Sequence, residues 1–95
     1  MTQQYIAGEL SVLLARLQAV AADEVAARDA ARLRQEAETW PLPALASVAV
    51  RALALGDGLC WDSLGRGDVA SFTRQSVVGA ELREFSLCAG LLRDS

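Results

Sequence analysis

Apolar residues recur at helical spacing along almost the whole chain, and strong turn signals interrupt them in two places. Trp40-Pro41-Leu42-Pro43 and Gly65-Arg66-Gly67-Asp68 are those places. They divide the chain into three predicted helical segments.

The first segment runs from about Thr2 to Glu38. Its early stripe is Ile6, Leu10, Leu13, Leu17 and Val20, the spacing of a coiled-coil seam. Its later stripe, Ala22, Ala26, Ala30, Leu33, Ala37 and Trp40, is made of smaller residues and lies on a somewhat different face. A break near Ala22-Asp23, with Asp23 as the N-cap of a separate helix, is the alternative to one continuous helix. Glu24 with Arg28, Arg32 with Glu36 and Arg34 with Glu38 have ion-pair spacing and read as a solvated face.

The second segment opens after Pro43, a good first-turn residue. Leu45, Val48, Ala52, Leu55 and Leu59 form one stripe; Val50, Leu53 and Leu64 form another. A helix apolar almost all round is expected to be central and buried on more than one side. Gly56-Asp57-Gly58 interrupts it, either as a kink or as a close helix crossing. The third segment starts with Asp68 as N-cap and runs to about Leu92, with Val78, Leu82, Phe85, Ala89 and Leu92 on one stripe.

These lengths create a surplus. If the first segment folds back on the second at Pro41, Leu64 lies opposite Gln18. The overhang from Tyr5 to Leu17 then spans about 18 Å at ~1.5 Å per residue and carries the strongest leucine stripe. A soluble protein does not usually leave such a stripe in water. Two resolutions exist. A second copy covers it, giving a homodimer through Ile6, Leu10, Leu13, Leu14 and Leu17, and this is the preferred expectation. In the other, the helix breaks near Ala22-Asp23, and Tyr5 to Val20 packs across the hairpin to close a four-helix bundle; the two can coexist. Either way the fold class is all-α: a small helical bundle of one long N-terminal helix, continuous or broken, followed by an antiparallel helical hairpin. Residues 1–95 form one domain.

Composition agrees with that class. Ala and Leu dominate an apolar fraction of 53%, and they are the strongest apolar helix formers. All basic residues are Arg, a usage expected of a GC-rich bacterial genome and given no functional weight. The formal net charge of -3 argues against general nucleic-acid binding, which needs a concentrated basic surface. No basic n-region followed by an apolar run marks a signal peptide. The most apolar stretch, Ala44 to Leu55, reads as too short to span a bilayer. The expectation is a cytoplasmic protein with no membrane or nucleic-acid partner.

Candidate chemistry is sparse. The chain has no histidine, so the commonest general base and metal ligand is absent. Cys60 and Cys88 stand apart without a Cys-x-x-Cys pair. In the expected hairpin they are about 24 Å apart along the axis at ~1.5 Å per residue, too far for a disulfide. Arg66-Gly67-Asp68 matches the integrin-recognition tripeptide but has the residues of an ordinary turn and cap. No catalytic residue, cofactor or metal site is expected. The leading reading is a non-catalytic protein acting through protein–protein contact, a regulator, adaptor or chaperone-like subunit that self-associates. Its interface residues are expected to be Ile6, Leu10, Leu13, Leu14, Leu17, Trp40 and Trp61. The alternative is a small-ligand or metal-binding bundle with a pocket near Asp57, Trp61 and Asp62. A third reading, nucleic-acid association through Arg28, Arg32 and Arg34 of two chains, is disfavoured by charge.

Overall fold

A computed structural model of the protein describes residues 2–39 and 41–92, the side chains of Leu42 and Pro43 excepted. The described residues form four helices: α1 (Gln3–Ala19), α2 (Glu24–Thr39), α3 (Leu42–Gly65) and α4 (Val69–Cys88). The all-α bundle read from the sequence is therefore the observed class, with the N-terminal helix broken.

The break has a local cause. The side chain of Asp23 accepts a hydrogen bond from the Ala26 N–H at 2.8 Å, and its carbonyl accepts from Ala27 at 3.1 Å. That satisfies donors a new helix would otherwise leave open. It also has a tertiary cause. Gln75 of α4 is fully buried, and its Nε2 donates to the Val20 carbonyl at the end of α1, at 2.9 Å. Its Oε1 accepts from the Ser63 hydroxyl of α3 at 2.7 Å. One buried amide thus ties the α1–α2 turn to both helices of the hairpin. Such satisfied polar networks favour one arrangement over its competitors.

Both later helix ends close on a left-handed glycine. Gly67 has φ 72 and Gly90 has φ 74. At the first, the Gly67 N–H bonds the Leu64 carbonyl and the Asp68 N–H bonds that of Ser63; at the second, Gly90 bonds Leu87 and Leu91 bonds Ser86. Both are Schellman closures. Asp68 then caps α4 by accepting from Ser71 N–H at 3.1 Å, which gives the Arg66-Gly67-Asp68 tripeptide its turn role. α4 ends at Cys88, short of the Leu92 expected, because Gly90 turns the chain and returns Leu91 to the core.

Each helix packs beside its neighbours in the chain, and α1 also packs against α4 and α3. Ser11 of α1 bonds Glu38 near the end of α2, Glu36 of α2 meets Arg51 of α3, and Arg16 of α1 pairs with Glu81 of α4. These pairings make successive helices antiparallel and bring α4 back beside α1, an up-down-up-down bundle. Gly56 faces α1 across its shorter diagonal: a Cβ there would lie 3.7 Å from Leu17 Cδ1. The glycines do not break α3, which runs through Gly56-Asp57-Gly58.

Two expectations change here. Ile6, Leu10, Leu13, Leu14 and Leu17 are all buried within the chain. Folding α1 back across the hairpin covers the stripe intramolecularly, the second of the two resolutions. α3 touches all three other helices, but it is not buried all round: Val50, Ala54, Trp61 and Leu64 are exposed. Because α3 is continuous past Leu55, its Ala44–Gly65 segment is long and apolar enough, by length and composition, to cross a membrane, with mean hydropathy 1.4 over its most apolar window.

Candidate protein-interaction surface

The core face of α3 is set by Leu45, Val48, Ala52, Gly56, Leu59 and Ser63, all buried. Residues two positions away from these point outward. Val50, Ala54, Asp57, Trp61 and Leu64 follow one another at alternating steps of four and three, so they share that outward face. All five are exposed, Trp61 to 72%, Val50 to 54% and Leu64 to 49%. Isolated exposed apolar residues need no explanation; a helical row containing a tryptophan does.

A groove of about 270 Å³ runs beside this face, between α2 and α3. Its floor is Ala26, Leu55 and Leu59, with Val25 standing 66% exposed on its wall. Asp23, Asp29 and Asp62 line it, and Ala54 belongs both to the groove and to the outward row. Further along, Arg32 and Arg51 line a second hollow with Asp29 and Leu55. Arg51 is held there by Glu36, with two contacts of 3.1 Å across the helix pair. Glu36 therefore pairs between helices, where the sequence suggested Arg32 on its own helix. Of the three expected pairs within α2, Arg34–Glu38 forms among the described residues, at 3.9 Å.

Asp57 and Asp62 flank Trp61 in the sequence but do not converge. Five residues turn a helix by about 140° beyond one full turn. Asp62 lines the α2–α3 groove, whereas Asp57 lines a hollow of about 370 Å³ between α3 and α4 with Cys60, Phe72 and Arg83. The pocket of the alternative reading, uniting Asp57, Trp61 and Asp62, is divided between these two hollows, and Trp61 lines neither. Among the described residues no group of three His, Cys, Asp or Glu is placed to hold a metal ion. Cys60 is half-buried with its Sγ 3.6 Å from Ser76 Oγ, and Cys88 is exposed; both are free thiols. Arg28 and Arg32 lie a helical turn apart, but Arg34 turns toward α1, where its Nε donates to Ser11 Oγ at 3.3 Å. Trp40 lies outside the described residues.

A fourth hollow, about 370 Å³, lies between α1 and α4, lined by Arg16, Val20, Arg74 and Val77. Arg16 is engaged elsewhere: its guanidinium grips the Glu81 carboxylate with both terminal nitrogens. The hydrogen bond from Arg16 holds Glu81 below the usual carboxylate range, and the same pairing raises Arg16. Asp68 is also held low, chiefly by its hydrogen bonding to Ser71.

The acidic lining of the α2–α3 groove escaped the sequence reading. Asp23 was legible as a cap and Asp62 as a surface residue, but their meeting with Asp29 depends on how α2 packs on α3. No protein-family description, curated protein or solved structure matches this chain.

Proposed function

We propose that this is a small non-catalytic protein that acts through protein–protein contact, as a regulator, adaptor or chaperone-like subunit. The outward face of α3 is its contact surface. One observation carries the reading: Trp61, 72% exposed, stands in a helical row with Val50 and Leu64 that no other helix covers. Aromatic anchors of this kind dominate binding energy at interfaces. A cytoplasmic location belongs to the same reading, and it is supported by the burial of the Leu45–Leu59 stripe of α3 against the rest of the bundle. The absence of histidine from the chain supports a non-catalytic role.

The test compares the protein with a Trp61→Ala, Leu64→Ser variant as baits in lysate of the native host, after circular dichroism has shown equal helicity. The reading expects a partner retained by the parent and lost by the variant. Identical captured sets, or turnover of a substrate by the purified protein, would overturn it.

A further inference from the structure

We propose that the groove between α2 and α3 docks an amphipathic helix with Arg or Lys on both flanks of its apolar face. This rests on the protein-contact reading and names the chemistry of the partner. Two antiparallel helices leave a channel whose floor, Ala26, Leu55 and Leu59, is apolar and whose walls carry the side chains that specify what enters. A third helix is the natural occupant, placing residues at steps of three and four along the floor.

Charge then selects the occupant. Asp29 and Asp62 stand on opposite walls, one on each helix, and neither carboxylate is engaged by a hydrogen bond or ion pair among the described residues. Asp23 lies along the α2 wall from Asp29, six residues or about 9 Å away. Among the described residues no cation lines this part of the groove; Arg32 and Arg51 line the adjoining hollow. A helix seated on the floor with basic residues on both flanks would face Asp29 on one side and Asp62 on the other. An acidic helix would meet like charge from both walls. The groove is also continuous with the outward row of α3 through Ala54, so a bound helix lies beside Trp61, whose indole face can receive a cation. A second copy of this chain fits less well. Antiparallel pairing through the outward row, centred on Asp57, would set that carboxylate against its own copy.

The experiment uses the full chain and three synthetic helices of equal length. One has leucines on one face and arginines on both flanks, one replaces the arginines by glutamates, and one scrambles the first to destroy its amphipathic face. Binding is followed by tryptophan fluorescence and by calorimetry. The expected result is binding of the first peptide alone, weakened as salt rises. The Asp29→Asn, Asp62→Asn variant should lose roughly five- to tenfold in affinity, the effect of two partly exposed charge pairs. Glu84→Gln, exposed on α4 and away from the groove, should bind as the parent does. Equal binding of the scrambled peptide, no binding of the first, or equal losses in the Glu84 and Asp29/Asp62 variants would overturn the groove assignment. None of those outcomes touches the capture test with Trp61→Ala, Leu64→Ser, which fails only if the α3 face itself is idle. A rise to the mass of a dimer without peptide, abolished by Asp29→Asn, Asp62→Asn, would instead make the second copy the occupant and overturn the proposal.

Discussion

α1 and α3 are both rich in large aliphatic residues, yet they place them differently. α1 buries Ile6, Leu10, Leu13, Leu14 and Leu17 and leaves Tyr5 and Val12 as its large exposed apolar side chains. α3 buries Leu45, Val48, Leu53 and Leu59 but keeps Val50, Trp61 and Leu64 in water. The helix that looked uncovered in the sequence is covered, and the helix that looked central has a free face. The difference is one of stripe width. The α1 stripe is narrow enough to be sealed by three neighbours. α3 is apolar on more than one face, and the bundle supplies cover on one side of it only. A surplus of apolar surface is therefore real, but it belongs to α3.

Core truncation on α1 breaks the comparison most severely. Leu14 has no exposed surface. Leu14→Ala should lose about 2–5 kcal/mol of stability in urea, through lost burial and the cavity left behind. Trp61→Ala removes a larger side chain from the free face of α3 and should shift stability by no more than about 0.5 kcal/mol. Similar losses at both positions would mean that Trp61 is covered or that α1 is loose. Next in size is Gln75→Ala. It leaves the Val20 carbonyl and the Ser63 hydroxyl without their buried partner, at about 1–3 kcal/mol. A neutral result in urea unfolding would show that the amide does not anchor the α1–α2 turn.

Gly58→Ala sharpens the picture of α3. A Cβ at Gly58 meets nothing within 4 Å. Alanine in a helix interior should then raise stability by about 0.5–1 kcal/mol, measured as a higher urea midpoint. Destabilisation there would mean that α3 is kinked at its glycines.

The smallest effect is acid sensitivity. Asp68 and Glu81 are held below the ordinary carboxylate range by Ser71 and Arg16 respectively. A carboxylate whose folded pKa is lowered stabilises the fold above its unfolded pKa and loses that contribution as pH falls through the folded value. Stability should decline on acidification through the carboxylate range. Asp68→Asn, Glu81→Gln should flatten that decline, as followed by thermal unfolding at a series of pH values. An unchanged slope would assign the acid response to other groups.

The helices and their punctuation were legible because their causes are local. Pro41 and Pro43 start α3, and Gly67 with Asp68 separates α3 from α4. The choice between a continuous and a broken first helix was not local. Val20, Ala21 and Ala22 tolerate either, and the deciding contact comes from Gln75, 55 residues away in sequence. The end of α4 was missed because Leu92 fits the spacing of Ala89, while the left-handed Gly90 lies between them. The divergence of Asp57 from Asp62 was within reach of periodicity alone. Trp61 was found by its residue type. The groove beside it was not, since Asp29 reaches Asp62 only through packing of α2 on α3.

The central claim is that one chain covers its own leucine stripe. Urea unfolding at protein concentrations spanning a hundredfold tests it directly, because association stabilises by mass action and makes the midpoint depend on concentration. One cooperative transition whose midpoint does not move is the expected result. A midpoint that rises with protein concentration would contradict it and return the α1 stripe to an interface between copies.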